Sequence, residues 1–111
     1  MKVLKVFLVT IFVLILAACS KPVPVEKADY VGKWRGPTMV LLISQDGRVV
    51  YKRARNGGIV SIDAPIKRFE GDDFIVGVGP VATTFVVANP PHLNGENWKM
   101  TVDGEELTRV R

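Results

Sequence analysis

Apolar and polar residues follow two regimes along this chain. Val6 to Leu16 is apolar apart from Thr10. From Tyr30 onward the apolar residues come in short runs, broken by Gly, Pro, Asn and Asp. No helical period runs through this second part, and short β-rich runs between turn signals predict an all-β domain. Lys33-Trp34-Arg35 predicts a first strand, closed by Gly36-Pro37. Met39 to Gln45 predicts a second and Arg48 to Arg53 a third. Asp46-Gly47 between them suits a two-residue hairpin, whose positions both need positive φ. After Asn56-Gly57-Gly58, Ile59–Ile62 and Ile66–Phe69 predict one long strand broken around Pro65, which places that point at an edge or a bulge.

Phe74–Val78 and Thr83–Val87 predict the next two strands, with Thr83, Phe85 and Val87 on one face. Asn89 to Asn97, with Pro90-Pro91-His92 and Gly95, predicts a polar loop. Trp98, Met100 and Val102 then alternate with Lys99, Thr101 and Asp103, the clearest period of two in the chain. Asp103-Gly104 predicts a second hairpin turn before a last strand over Glu105–Val110. Seven or eight strands joined by short connections predict an antiparallel up-and-down meander. Such a meander removes its edges best by curling into a closed or partly open barrel, two packed sheets being the alternative.

The first regime has the layout of an export signal. Lys2 and Lys5 precede the apolar run, and Leu16-Ala17-Ala18-Cys19 ends it. The run is about half the ~20 residues a membrane-spanning helix needs. Leu16-Ala17-Ala18-Cys19 resembles the lipobox of bacterial lipoproteins position for position. The resemblance implies a signal helix over residues 1–18 that is cleaved before Cys19. It also implies a diacylglycerol on the Cys19 thiol and a new amine that can be acylated. One chain holds a protein marginally and two or more hold it stably. In such lipoproteins Asp after the cysteine often retains the protein in the inner membrane. Ser20 therefore points to the outer membrane of a bacterial cell envelope, on its periplasmic face.

Cleavage changes the charge. Loss of Lys2 and Lys5 leaves thirteen of the fifteen bases against eleven acids, so a formal +4 becomes +2. That balance argues against a nucleic-acid partner. Cys19 is the only cysteine, so once acylated it leaves no thiol for a disulfide, a redox pair or a thiolate metal site. Pro22 and Pro24 predict an extended tether over residues 19–29, able to reach roughly 30 Å. The folded domain is then 30–111.

The ends of that domain carry a further resemblance. Gly32-Lys33-Trp34 resembles the Gly-x-Trp opening of lipocalins, in which an Arg or Lys near the last strand packs across the Trp. The resemblance implies a lipocalin-like barrel and a cation–π contact between Trp34 and Arg109. The chain is much shorter than ordinary lipocalins, and a small barrel can be filled by its own side chains.

Candidate chemistry is sparse. His92 is the only histidine and has no acid or nucleophile specified beside it, so no catalytic residue is assigned and the protein is not read as an enzyme. Asp72-Asp73 fits a turn better than a cation site, and no metal or cofactor is implied. Lys52, Arg53 and Arg55, with Lys67 and Arg68 on a neighbouring strand, predict a basic patch suited to anionic lipid or an acidic partner. The segment Pro90-Pro91-His92 predicts a second surface for contact. The leading expectation is a non-catalytic, lipid-anchored module for a small apolar ligand or an envelope component. The alternative is a protein–protein module, such as an inhibitor of a lytic enzyme or an accessory subunit of an envelope complex. Membrane-bound lysozyme inhibitors of bacteria are also short lipoproteins with small β-barrels. This chain has neither their Ser-Gly-x-x-Tyr stretch nor a cysteine pair in the domain.

Overall fold

The structure, a computed structural model, describes residues 21–111. The leader, Leu16, Ala17, Ala18 and Cys19 lie outside the described residues. A 3-10 helix, Val25–Tyr30, is followed by nine strands. These are β1 (Gly32–Arg35), β2 (Met39–Ile43), β3 (Arg48–Arg55), β4 (Gly58–Glu70), β5 (Asp73–Val78), β6 (Val81–Phe85), β7 (Val87–Asn94), β8 (Asn97–Val102) and β9 (Glu105–Val110). All pairings are antiparallel, in the order β6-β5-β4-β3-β2-β1-β9-β8-β7. The architecture is the all-β meander that the sequence predicts, curled into a partly open barrel. First and last strands meet as Trp34 faces Arg109 across the β1–β9 ladder. The sheet's two edges, β6 and β7, are consecutive in the chain, with only Val86 between them.

Four details depart from the sequence reading. Residues 83–87 are not one strand: β6 ends at Phe85 and β7, at the other edge of the sheet, begins at Val87. Residues 89–94 are not a loop: they belong to β7, where His92, Leu93 and Asn94 pair with Lys99, Trp98 and Asn97. Pro90 and Pro91 fall where that register shifts, and prolines are accommodated at such a bulge on an edge strand. This adds the ninth strand. The turn between β2 and β3 holds three residues, 45–47, rather than two. Ser44 and Arg48 close it, the Gly47 N–H donates to the Ser44 carbonyl at 3.0 Å, and of Asp46 and Gly47 only Gly47 has positive φ. Finally, the predicted tether lies against the barrel from its first described residue. Val23 is buried and its N–H donates to the Gln45 carbonyl at 3.0 Å, while residues 25–30 turn as a 3-10 helix.

Elsewhere the alternation sets the fold. Met39, Leu41 and Ile43 of β2 point inward, as do Met100 and Val102 of β8. Asp103 and Gly104 both take positive φ, as their two-residue turn requires. Pro65 sits within β4 at no cost to the inner ladder. The Ile66 N–H donates to the Gly47 carbonyl, so alternation turns the Pro65 nitrogen away from β3. On that other side the β4–β5 pairing starts only at Ile66, and a bulge follows.

Aromatic rings fill the interior in file. Tyr30 closes one end, edge-on to Phe69 at 5.3 Å and to Phe74 at 6.2 Å between centroids. Phe74 stacks on Phe85 at 5.0 Å, and Phe85 meets Tyr51 edge-on at 5.0 Å. The Tyr30 hydroxyl donates to the Asp72 carbonyl at 2.8 Å. Burial, reinforced by the nearby Asp72 and Asp73 carboxylates, pushes its pKa up to about 12 from 10.0. Ionised Tyr30 is thus disfavoured only in the folded state, and the barrel should lose stability as pH rises from 10 towards 12. Denaturant titrations across that range should show the loss in the native protein. A smaller loss is expected in Tyr30→Phe.

Candidate functional site

The end of the barrel away from Tyr30 is open. A cup of about 330 Å³ lies there, lined by Tyr51, Arg53 and Arg55 of β3, Val60 and Ile62 of β4, Thr83 and Phe85 of β6, and Asp103 of the β8–β9 turn. Strand phase explains the set. Val49 and Tyr51 are buried, so Arg53 and Arg55 continue the same inward row beyond the core. Their cross-strand partners are Val60 and Gly58, and Ile62 faces Tyr51. Tyr51 and Phe85, in edge-on contact, make the floor. The rim is polar and the floor is aromatic.

The charges in the cup are unequal in freedom. Arg53 lies 3.8 Å from the Glu105 carboxylate. Glu105 also accepts from the Thr38 N–H at 3.0 Å and from the Thr38 hydroxyl. Its burial works against ionisation, but the two Thr38 hydrogen bonds and Arg53 outweigh it and hold the carboxyl below its ordinary range. Asp103 is occupied too: its carboxylate accepts from the Val86 N–H at 2.9 Å, and its own N–H donates to the Val86 carbonyl at 2.8 Å. That reciprocal pair pins the corner between β6 and β7. Arg55 makes no hydrogen bond or ion pair among the described residues, so it is the uncompensated cation of the cup.

The predicted basic patch is divided by this geometry. Arg53 and Arg55 share the cup, whereas Lys52 lies exposed on the outer face of β3. Lys67 and Arg68 sit near the other end of β4. Arg55 pairs with Gly58, and Lys67 is nine residues further along, about 30 Å at strand rise. Pro90 and His92 are exposed on β7 with Pro91 half-buried, and the His92 ring nitrogen Nδ1 lies 2.9 Å from the Pro90 carbonyl. Trp34 and Arg109 are brought together at the opposite wall. The guanidinium carbon is 5.6 Å from the Trp34 ring and 4.6 Å from that of Trp98, so one cation bridges both tryptophans. Tyr51, Thr83, Phe85 and Asp103 were not among the residues the sequence marked for contact. The alternation Val49, Tyr51, Arg53, Arg55 was the signal for the β3 part; the others meet it only through barrel closure.

No protein-family model matches this chain, and no curated protein or solved structure matches it either. The functional reading therefore rests on the cup and on the residues around it.

Proposed function

We propose that this protein is a lipid-anchored, non-catalytic binding module of the bacterial cell envelope, held through acylated Cys19 and favouring the periplasmic face of the outer membrane. Leu16-Ala17-Ala18-Cys19 after an apolar run supports the anchor. The observation that carries the binding role is the cup. It pairs an aromatic and aliphatic wall with one guanidinium that has no partner among the described residues. At about 330 Å³ it is at the small end of ligand pockets, which span about 300–1,000 Å³. A compact apolar molecule ending in a carboxylate or similar anion fits it: the apolar body covers Tyr51, Ile62 and Phe85, and the anion meets Arg55.

The test compares 4-phenylbutyrate with 4-phenylbutanol, alike in size and different in charge. Each is titrated into the mature protein in phosphatidylcholine nanodiscs, with amide shifts at Tyr51, Thr83 and Phe85 as the readout. The carboxylate is expected to bind about fivefold or more tightly than the alcohol, and Arg55→Gln to bring the ratio to about one. Silence of those amides towards both compounds would defeat the proposal. So would a preference that survives Arg55→Gln.

A further inference from the structure

The N-terminal segment does not hold the barrel away from its anchor. The Lys21 carbonyl packs so closely on Gly47 that a Cβ there would lie 1.9 Å from its oxygen. Two residues on, Val23 is buried and hydrogen-bonded to Gln45. The chain is therefore seated on the barrel from Lys21, and Cys19 is two Cα–Cα steps away, at most about 7.6 Å. A leash that short fixes which side of the barrel meets the bilayer.

That side has a distinctive surface. Lys21 shares a cleft of about 240 Å³ with Pro65, Ile66, Lys67, Gly77, Val78 and Gly79. Val78 and Gly79 belong to the β5–β6 hairpin tip, Val78-Gly79-Pro80-Val81. Val78 is 63% exposed and Val81 72%, and the tip carries no charged side chain. Pro80 has no N–H to leave unsatisfied in a poorly hydrated layer. Lys67 reaches the tip and donates from Nζ to the Gly79 carbonyl. An uncharged valine tip that shares a cleft with Lys21 and Lys67, Lys21 being two residues along the chain from Cys19, matches the boundary between acyl chains and anionic headgroups.

We propose that the β5–β6 hairpin tip is a second membrane contact: Val78 and Val81 enter the interface of an anionic bilayer while Lys21 and Lys67 meet its headgroups, so the barrel is clamped on the membrane in one orientation. This rests on Cys19 being acylated.

The test uses the mature protein, its Cys19 blocked by lipid, with a single new cysteine carrying an environment-sensitive nitrobenzoxadiazole dye. Val81→Cys is the main site, Val78→Cys the second, and Ala54→Cys, exposed on β3, the control. Each is reconstituted into phosphatidylglycerol–phosphatidylcholine vesicles containing spin-labelled lipid, after intact mass has established the lipid on Cys19. Quenching at positions 81 and 78 is expected to exceed that at 54 by about threefold or more, and to fall in Lys67→Glu. Quenching no greater at 81 and 78 than at 54, on protein that carries its lipid, would overturn the clamp and leave the anchor standing. Quenching unchanged by Lys67→Glu would overturn the headgroup part. A mature mass without lipid would remove the anchor and the clamp together.

Discussion

Trp34→Ala is expected to cost about 3–5 kcal/mol, a large share of the roughly 5–15 kcal/mol that stabilises a domain of this kind. Three losses combine at one residue. The side chain is fully buried, so its removal opens a cavity between β1 and the barrel interior. Its Nε1–H donates to the Tyr30 carbonyl at 2.9 Å, and that acceptor loses its partner. The ring also backs the Arg109 guanidinium at 5.6 Å, on the one ladder that joins the first strand to the last. Tyr30 depends on this bond to seat the 3-10 helix, so the plug and the closure should fail together. Urea unfolding followed by near-ultraviolet circular dichroism should show a lowered midpoint and weakened aromatic signal at zero urea. Trp34→Phe, which keeps most of the packing and loses the donor, should cost nearer 1–2 kcal/mol. Equal losses in the two variants would place the effect in the hydrogen bond rather than the packing.

Gly47→Ala is expected to be nearly as damaging, by about 2–4 kcal/mol, for reasons of backbone space. Gly47 has φ +87°, which strains any residue with a Cβ, and the new methyl would collide with the Lys21 carbonyl. The segment over residues 21–24 can yield only by leaving. It would forfeit the hydrogen bond from Val23 to Gln45 and the burial of Val23. Hydrogen exchange should report this locally. The Val23 amide is expected to lose protection while the amides of β2 and β8 keep most of theirs. Retained protection at Val23 would mean that the turn absorbs the methyl by another route.

Legibility in the sequence followed the range of the interactions. Met39, Leu41 and Ile43 announced their strand by alternation, and Asp103-Gly104 announced its turn, because both are properties of neighbouring residues. Trp34 and Arg109 were readable as a pair only through resemblance at the two ends of the chain, and their rings and guanidinium do meet. What local pattern obscured was tertiary. Pro90-Pro91 has the composition of a loop, yet a bulge on an edge strand accommodates both prolines. Val23 between two prolines looks like a spacer, and only the turn at Gly47 gives it a seat. Lys52, Arg53 and Arg55 look like one patch until the phase of β3 sends Lys52 outward and the two arginines to the cup.

The two free edges of the sheet differ in what they can receive. β7 carries Pro90 and Pro91 at a shift of its register, and prolines and bulges both blunt an edge against strand addition. β6, Val81-Ala82-Thr83-Thr84-Phe85, has neither proline nor charge along its five residues. Fibrils grow by strand addition only when every subunit offers two receptive edges. This subunit offers one. Association through β6 would end at a pair, and a growing chain of barrels would find no second surface from which to continue.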